Sequence, residues 1–359
     1  MKRIFSILFL ILILFCGCVI TEREIETKDC FNNKKSVIKI VIPEYFSDYL
    51  EKKAIEFQKE KNDFAFEFLR VKDDQKYKDV VLEAVLNKDA NMFYVHGGGD
   101  VSFFSDLIEP FNFVEKKRDV VHFNEHQSFR LDRNFCGIFV NLKLLKYFNI
   151  KESDLNSFEN FLKIVKKIKE DSRGLKKENV LNVSSDLASI VCSLGFKKGE
   201  ICDEFEKLFS FKLQDEKEIA SNFLEDKILF FVGSSRFFDL NLFKNKEQNI
   251  KCLPIAIAKN NSIIVEDDLF CLTKNNTGQQ KEVILEFLDF IAKSEKISLK
   301  QEGLNLRESE FKNVPYSFRD SLKTELFKLK EGKIDFKTLK ENIKKNFEVF
   351  KKLEEISTG

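Results

Sequence analysis

The chain has 359 residues, more than one ordinary domain accommodates, and at 43% hydrophobic and 33% charged its composition is that of a globular protein. Its 60 Lys and Arg are interspersed with 59 Asp and Glu, a net charge of +1 that excludes the basic footprint of a nucleic-acid-binding protein. Eight cysteines include no C-x-x-C pair, which removes the zinc knuckle and the dithiol redox motif, and the aromatic inventory is dominated by 40 Phe with no Trp.

Met1-Lys2-Arg3 precede a short apolar run from Ile4 to Phe15. Two cations before such a run are the layout of a secretory signal, and about 12 residues are too few to span a ~30 Å hydrocarbon core as a helix. Phe15-Cys16-Gly17-Cys18 follows and resembles a bacterial lipobox in a loose form. The resemblance implies that residues 1–17 are a lipoprotein signal peptide, cleaved before Cys18, whose thiol and new amine are then acylated. Acyl burial contributes about 0.8 kcal/mol per CH₂, enough for several chains to hold a domain on a membrane. Residues 18–36 are charged and lack an apolar period, so they read as a flexible tether. No later apolar run is long enough to cross a membrane, and the body is expected to be soluble.

From Val37 the pattern alternates. Val37 to Ile42 is a β-branched strand, and Tyr49 to Lys61 reads as a helix through Leu50, Ala54 and Phe57. Phe64 to Val71 is a second strand, and Tyr77 to Leu86 a helix through Val80, Val81, Ala84 and Val85. Asn91 to Val95 is a third strand, running into Gly97-Gly98-Gly99. Such alternation predicts a mostly parallel sheet covered on both faces. Farther on, Ser157 is placed to cap a helix from Phe158 to Lys169 with the apolar stripe Phe158, Phe161, Leu162, Val165 and Ile168. Lys281 to Ala292 and Asp335 to Leu353 carry similar stripes. Apolar neighbours mark Cys136, Cys252 and Cys271 as buried small hydrophobes. Cys192 and Cys202 could bridge in an oxidising compartment, which their spacing does not decide.

Five segments, in order, resemble the extracellular solute-binding proteins of carbohydrate-type ABC importers. They are Val37 to Ile42 with its helix, and Met92-Phe93-Tyr94-Val95 through Leu107-Ile108-Glu109-Pro110-Phe111. The clearest is Gly137-Ile138-Phe139-Val140-Asn141-Leu142-Lys143 to Ile150, then Ser157-Phe158-Glu159-Asn160-Phe161. There Val140 replaces the family's Tyr, Leu142 splits its Asn-Lys pair, Asn149 stands for a helix-ending Gly, and Ser157-Phe158 replace Thr-Trp. Lys227 to Phe238 and Leu253 to Gly303 complete the series, with Lys330-Glu331-Gly332-Lys333 before the last helix.

The resemblance implies an α/β, two-lobed periplasmic-binding-protein fold with hinge strands and a ligand cleft. Lobe one would be 37–137 plus 265–303 and lobe two 138–260 plus 304–353. It implies a non-enzymatic, monomeric, lipid-anchored extracytoplasmic protein, without cofactor, that hands a small solute to ABC permease subunits. The same fold retained by a surface adhesin or interaction module is the alternative.

Ligands of open α/β sheets sit beyond the carboxyl ends of strands. That makes Glu44, Tyr45 and Phe46 candidates after the first strand, and His96 to Asp100 after the third. Ser184, Ser185 and Asp186 and the loop from Gly233 to Phe238, with Ser234, Arg236 and Phe238, are their counterparts farther along. Glu266, Asp267 and Asp268 fall at the crossover. A sugar needs an aromatic face for its C–H side and carboxylates for its hydroxyls. Tyr45, Phe46 and Phe238 would supply faces, and Glu44, Asp100 and Asp186 would accept hydroxyl protons. Arg236 offers a fork for an anionic ligand, so a phosphorylated sugar, a polyol and a non-sugar solute stay open.

His122-Phe123-Asn124-Glu125-His126 matches the inverted zinc-peptidase spacing, which needs both His on one helix face. The neighbours show no helical stripe and no third ligand is identifiable, so the residues are read as polar loop positions. No G-x-S-x-G elbow or phosphate-binding loop is present.

Overall fold

The computed structural model describes residues 36–72, 76–96, 101, 103–109, 120–123, 126–171, 174–185, 203–211, 213–255, 262–293, 305–308 and 316–358. Cys18, Asp100, Asp186, Cys192 and Cys202 lie outside them. The chain divides into two compact units, Met1–Asn91 and Met92–Gly359.

In the first unit, β1 (Ser36–Pro43) pairs in parallel with β2 (Phe64–Val71), Ser36 opposite Phe64 and Pro43 opposite Val71. Helix α1 (Glu44–Gln58) starts directly after Pro43, five positions before the apolar spacing indicates. Its first turn is set by polar chemistry. Pro43 is extended at the N-cap, Glu44 favours the positive end of the helix dipole, and the Ser47 hydroxyl donates to the Glu44 carbonyl at 2.8 Å. Helix α2 (Tyr77–Leu86) has the predicted bounds and buries Val81, Ala84 and Val85.

The second unit opens with β3 (Met92–His96), β4 (Val120–Phe123) and β5 (His126–Asn141), then α3 (Leu142–Tyr147) and α4 (Phe158–Glu170). β6 (Leu181–Ser184), α5 (Asp203–Phe209), β7 (Leu213–Gln214), α6 (Glu216–Leu224) and β8 (Phe230–Ser234) follow. After them come α7 (Leu240–Lys246), β9 (Ile250–Leu253), β10 (Ser262–Leu272) and α8 (Gly278–Ala292). β11 (Asn305–Glu308), α9 (Tyr316–Lys330) and α10 (Phe336–Thr358) close the unit. The strand order is β3-β10-β5-β8-β6-β7, with β11 on β10 and β4 and β9 on β5.

This sheet is mixed, which corrects the mostly parallel expectation. β6 runs parallel to β7 and β8, and β10 parallel to β11, but β10 is antiparallel to β3 and β5, and β5 to β8. The cause is β5 and β10 themselves. At 16 and 11 residues both exceed the usual 5–6, and each changes neighbours along its length. β5 pairs with β4 through Phe129 and with β8 from Cys136 onward. β10 pairs with β11 through Val265 and with β3 from Asp268 onward.

Apolar layers cover both faces around β8. Phe230 and Val232 join Phe158, Phe161 and Val165 of α4 and Leu322 and Leu326 of α9 in one cluster. Phe231 joins Phe139, Ile219, Phe223, Phe238 and Phe243 in the other. That two-sided burial is why residues 228–232 read as an unbroken apolar run. Each buried Phe contributes about 1.5–3 kcal/mol relative to exposure. Cys136, Cys252 and Cys271 are free and buried, and burial pushes the Cys252 and Cys271 thiols well above their usual range. Among the described residues no helix is long and apolar enough to cross a membrane.

The histidine motif is not helical. His122 pairs with Gln127 and His126 with Phe123 across the β4–β5 hairpin, so the two histidines occupy strand positions that alternate in face. This also corrects their reading as loop residues. Among the described residues no group of three or more His, Cys, Asp or Glu is placed to hold a metal.

Candidate functional site

Register alone brings two strand ends to one place. The last residue of β3, His96, is opposite Asp268 of β10. The last residue of β8, Ser234, is opposite Cys136 of β5. Between these levels, where Asn134 is opposite Glu266 and Arg133 opposite Asp267, β5 and β10 pair only with each other among the described residues. The carboxyl ends of β3 and β8 therefore abut a short polar stretch of the crossover pair.

Strand alternation sorts that stretch into two faces. On one, the Arg133 fork meets Asp267 through two hydrogen bonds, Nε to Oδ1 at 2.7 Å and Nη2 to Oδ2 at 3.1 Å. Asp267 is buried while Arg133 is about one-third exposed, a geometry that ties β5 to β10 beyond their backbone ladder.

On the other face Asp268 is buried and fully engaged. The Tyr94 hydroxyl donates to its Oδ1, and the Asn134 amide donates to its Oδ2 at 2.8 Å. Arg236, in the 3-10 turn Ser235–Phe237 after β8, donates from Nη2 to the Tyr94 oxygen at 2.8 Å. Its guanidinium carbon lies 5.9 Å from the Tyr94 ring centroid and 5.8 Å from that of Phe237. Burial pulls the Arg236 pKa below its usual value, opposed by the carboxylates of Asp268 and Glu266. Tyr94 is thus the common partner of an acid from β10 and a cation from beyond β8.

The turn that carries Arg236 is locked from three sides. The Ser235 hydroxyl accepts from the Phe135 amide at 3.0 Å. The Ser234 hydroxyl accepts from the Arg236 amide at 3.2 Å, and the Ser234 amide donates to the buried Glu216 carboxylate at 2.7 Å. Gly233 is required for this approach, since a Cβ there would lie 2.7 Å from the same Glu216 oxygen and 2.5 Å from the Phe231 ring.

The sequence candidates fall differently within this frame. Ser234, Arg236 and Asp267 belong to the crossover site. His96 ends β3 rather than following it. Ser184 is buried at the end of β6, and Ser185 donates its amide to the Gln214 carbonyl at 2.8 Å. Phe238 is core. Its ring stacks on Phe223 and Phe243, each 5.9 Å away, and meets Phe139 edge-on at 4.9 Å. In the first unit Glu44, Tyr45 and Phe46 form the opening of α1, Glu44 exposed and Phe46 half-buried 5.8 Å from Tyr49. Sequence reasoning missed Tyr94, Arg133 and Asn134. The signal was present: Arg130, Asp132, Arg133 and Asn134 fall between Phe129 and the apolar run from Phe135, facing a matching run of acids from Glu266 to Asp268.

No protein-family model and no curated protein matches the sequence. Solved structures do. A sugar transporter from Bacillus licheniformis in complex with stachyose superposes with a TM-score of 0.64 at 13% identity, covering 86% of this chain and 98% of its own. An ABC transporter solute-binding protein from Thermotoga lettingae, bound with α-D-tagatose, gives 0.63 at 11% identity, covering 87% and 100%. The GacH receptor of Streptomyces glaucescens, solved unliganded and with acarbose, gives 0.63 at 10% identity, covering 89% and 99%. The chain therefore has the two-lobed α/β fold of these proteins.

Proposed function

We propose that this chain is the solute-binding component of an ABC-type importer, capturing a small polyhydroxylated solute by closure and presenting it to permease subunits. The observation that carries the reading is the convergence of the β3 and β8 ends on the polar crossover of β5 and β10. Strand carboxyl ends are where open α/β sheets hold ligands, and shared strands are the hinge element of such folds. The structures of similar fold were solved with stachyose, α-D-tagatose and acarbose, which is the ground for a sugar-type solute.

In this reading the lobes are 37–137 plus 265–303 and 138–260 plus 304–353. His96, Asp100, Ser184, Asp186 and Ser234 offer polar contacts, while Arg236 and Asp267 position their neighbours. A carboxylate-rich surround that already engages Arg236 favours a neutral hydroxylated ligand over an anion. The protein is non-catalytic and monomeric, held outside the cytoplasm by lipid on Cys18.

Thermal denaturation across a panel of sugars, oligosaccharides, polyols and sugar phosphates tests this, paired with small-angle scattering. A ligand at a hundred times its Kd adds about 2.7 kcal/mol, a shift of several degrees, and closure reduces the radius of gyration. Absence of stabilisation by every class overturns the reading.

A further inference from the structure

Away from the crossover, α4, the 3-10 turn Lys177–Asn179 and α5 surround an open cavity of about 480 Å³, within the size range of small-molecule sites. It shares no residue with the Tyr94–Asp268 network. Its floor is apolar: Val165 is buried, and Leu162 and Phe211 are half-buried against the core cluster. Its wall is cationic. Lys166, Lys169, Lys177 and Lys207 all line it, against one acid, Glu170.

Among the described residues Lys166, Lys169 and Lys177 make no ion pair, and Lys207 reaches only Glu159, at 3.8 Å between exposed side chains. Such an exposed pair neutralises little. The Lys169 ammonium lies 4.7 Å from the Phe211 ring centroid, and burial pulls its pKa below the usual value. Like charges gathered around one opening repel each other, and an anion placed among them relieves that repulsion. The floor beneath takes an apolar body, flanked by lysine stems and a ring already facing a cation. A neutral polyol finds few acceptors here. We infer that this cavity is a second binding site, for a small organic anion that carries its charged group on an aryl or short acyl body.

Calorimetric titration of the full chain with naphthalene-2-sulfonate tests it, beside the neutral naphthalene-2-methanol and inorganic phosphate. The sulfonate is expected to bind one-to-one, with affinity falling as salt rises, and both comparison probes to bind at least ~10-fold more weakly. Lys169→Met keeps the stem over Phe211 and removes the charge; Lys166→Glu reverses an exposed one. Each is expected to weaken the sulfonate ~10-fold without changing the thermal midpoint beyond about a degree. Should Lys169→Met fail to fold, the exposed Lys166→Glu decides alone. No binding at millimolar probe, equal binding of the alcohol, equal binding of phosphate, or indifference to both substitutions each overturns the site.

Discussion

Tyr94 stands between opposite charges, donating to Asp268 and accepting from Arg236. Removing its oxygen leaves a buried carboxylate short of one donor and a guanidinium short of one acceptor. Tyr94→Phe is therefore expected to lower stability by about 1–3 kcal/mol, read as a reduced urea midpoint with unchanged slope. An unchanged midpoint would mean that Arg236 and Asp268 satisfy each other directly. At this scale the sequence was legible where one backbone conformation or one contact dictates a residue. Asn149, which the sequence resemblance sets at a helix-ending glycine position, has φ 57°, which asparagine tolerates. Gly137 admits no side chain because a Cβ would meet Cys252 Sγ and the Leu253 carbonyl at 2.6 Å. Tyr94 was not legible, since a tyrosine in an apolar strand reads as core until its partners, far away in sequence, are placed.

The α9–α10 hairpin shows the same chemistry between elements. Glu325 is buried on α9, accepting from Lys328 at 2.5 Å and from Asn342 of α10 at 2.7 Å. Burial alone would raise its pKa; the hydrogen bonds from Lys328 and Asn342 outweigh that and hold the carboxyl below its usual 4.5. A lowered folded-state pKa gives stability that is complete above the unfolded value and is lost as pH falls through the folded one. The wild type is thus expected to lose more thermal stability than Glu325→Gln on acidification below about 4.5. Parallel curves would remove Glu325 from the account. Elements followed the sequence when a stripe defined them. Helix α4 ends one residue from its predicted bound, with Ser157 accepting from the Asn160 amide at 3.1 Å. The start of α1 was hidden because Glu44, Tyr45 and Phe46 directly follow a strand and Pro43, where pattern reading expects a loop. The lengths of β5 and β10 were hidden because charges interrupt them at the crossover, where local pattern reading sees a loop.

Across the whole molecule, the order β3-β10-β5-β8 places β5 and β10 inside the sheet, each with partners on both edges. Interior strands open only when their surroundings open. In native-state hydrogen exchange the amides of β5 and β10 are expected to form the slowest class, with β7 and β11 faster. Equal protection at β7 or β11 would show that the crossover is not the most stable part of the fold. The general fold class was legible from alternating elements and the five segments taken together, whereas the mixed direction of the sheet was not. Strand direction here depends on which distant segments meet, and no local period records that.

That distance has a consequence during synthesis. β10 separates β3 from β5, yet it is made more than a hundred residues after either begins. Until Leu272 has left the ribosome, the middle of the sheet has a vacant lane and two raw edges. Non-local pairing of this kind is slow and exposes strands to mispairing. For most of the time it takes to translate, the sheet of the second unit therefore remains unfinished.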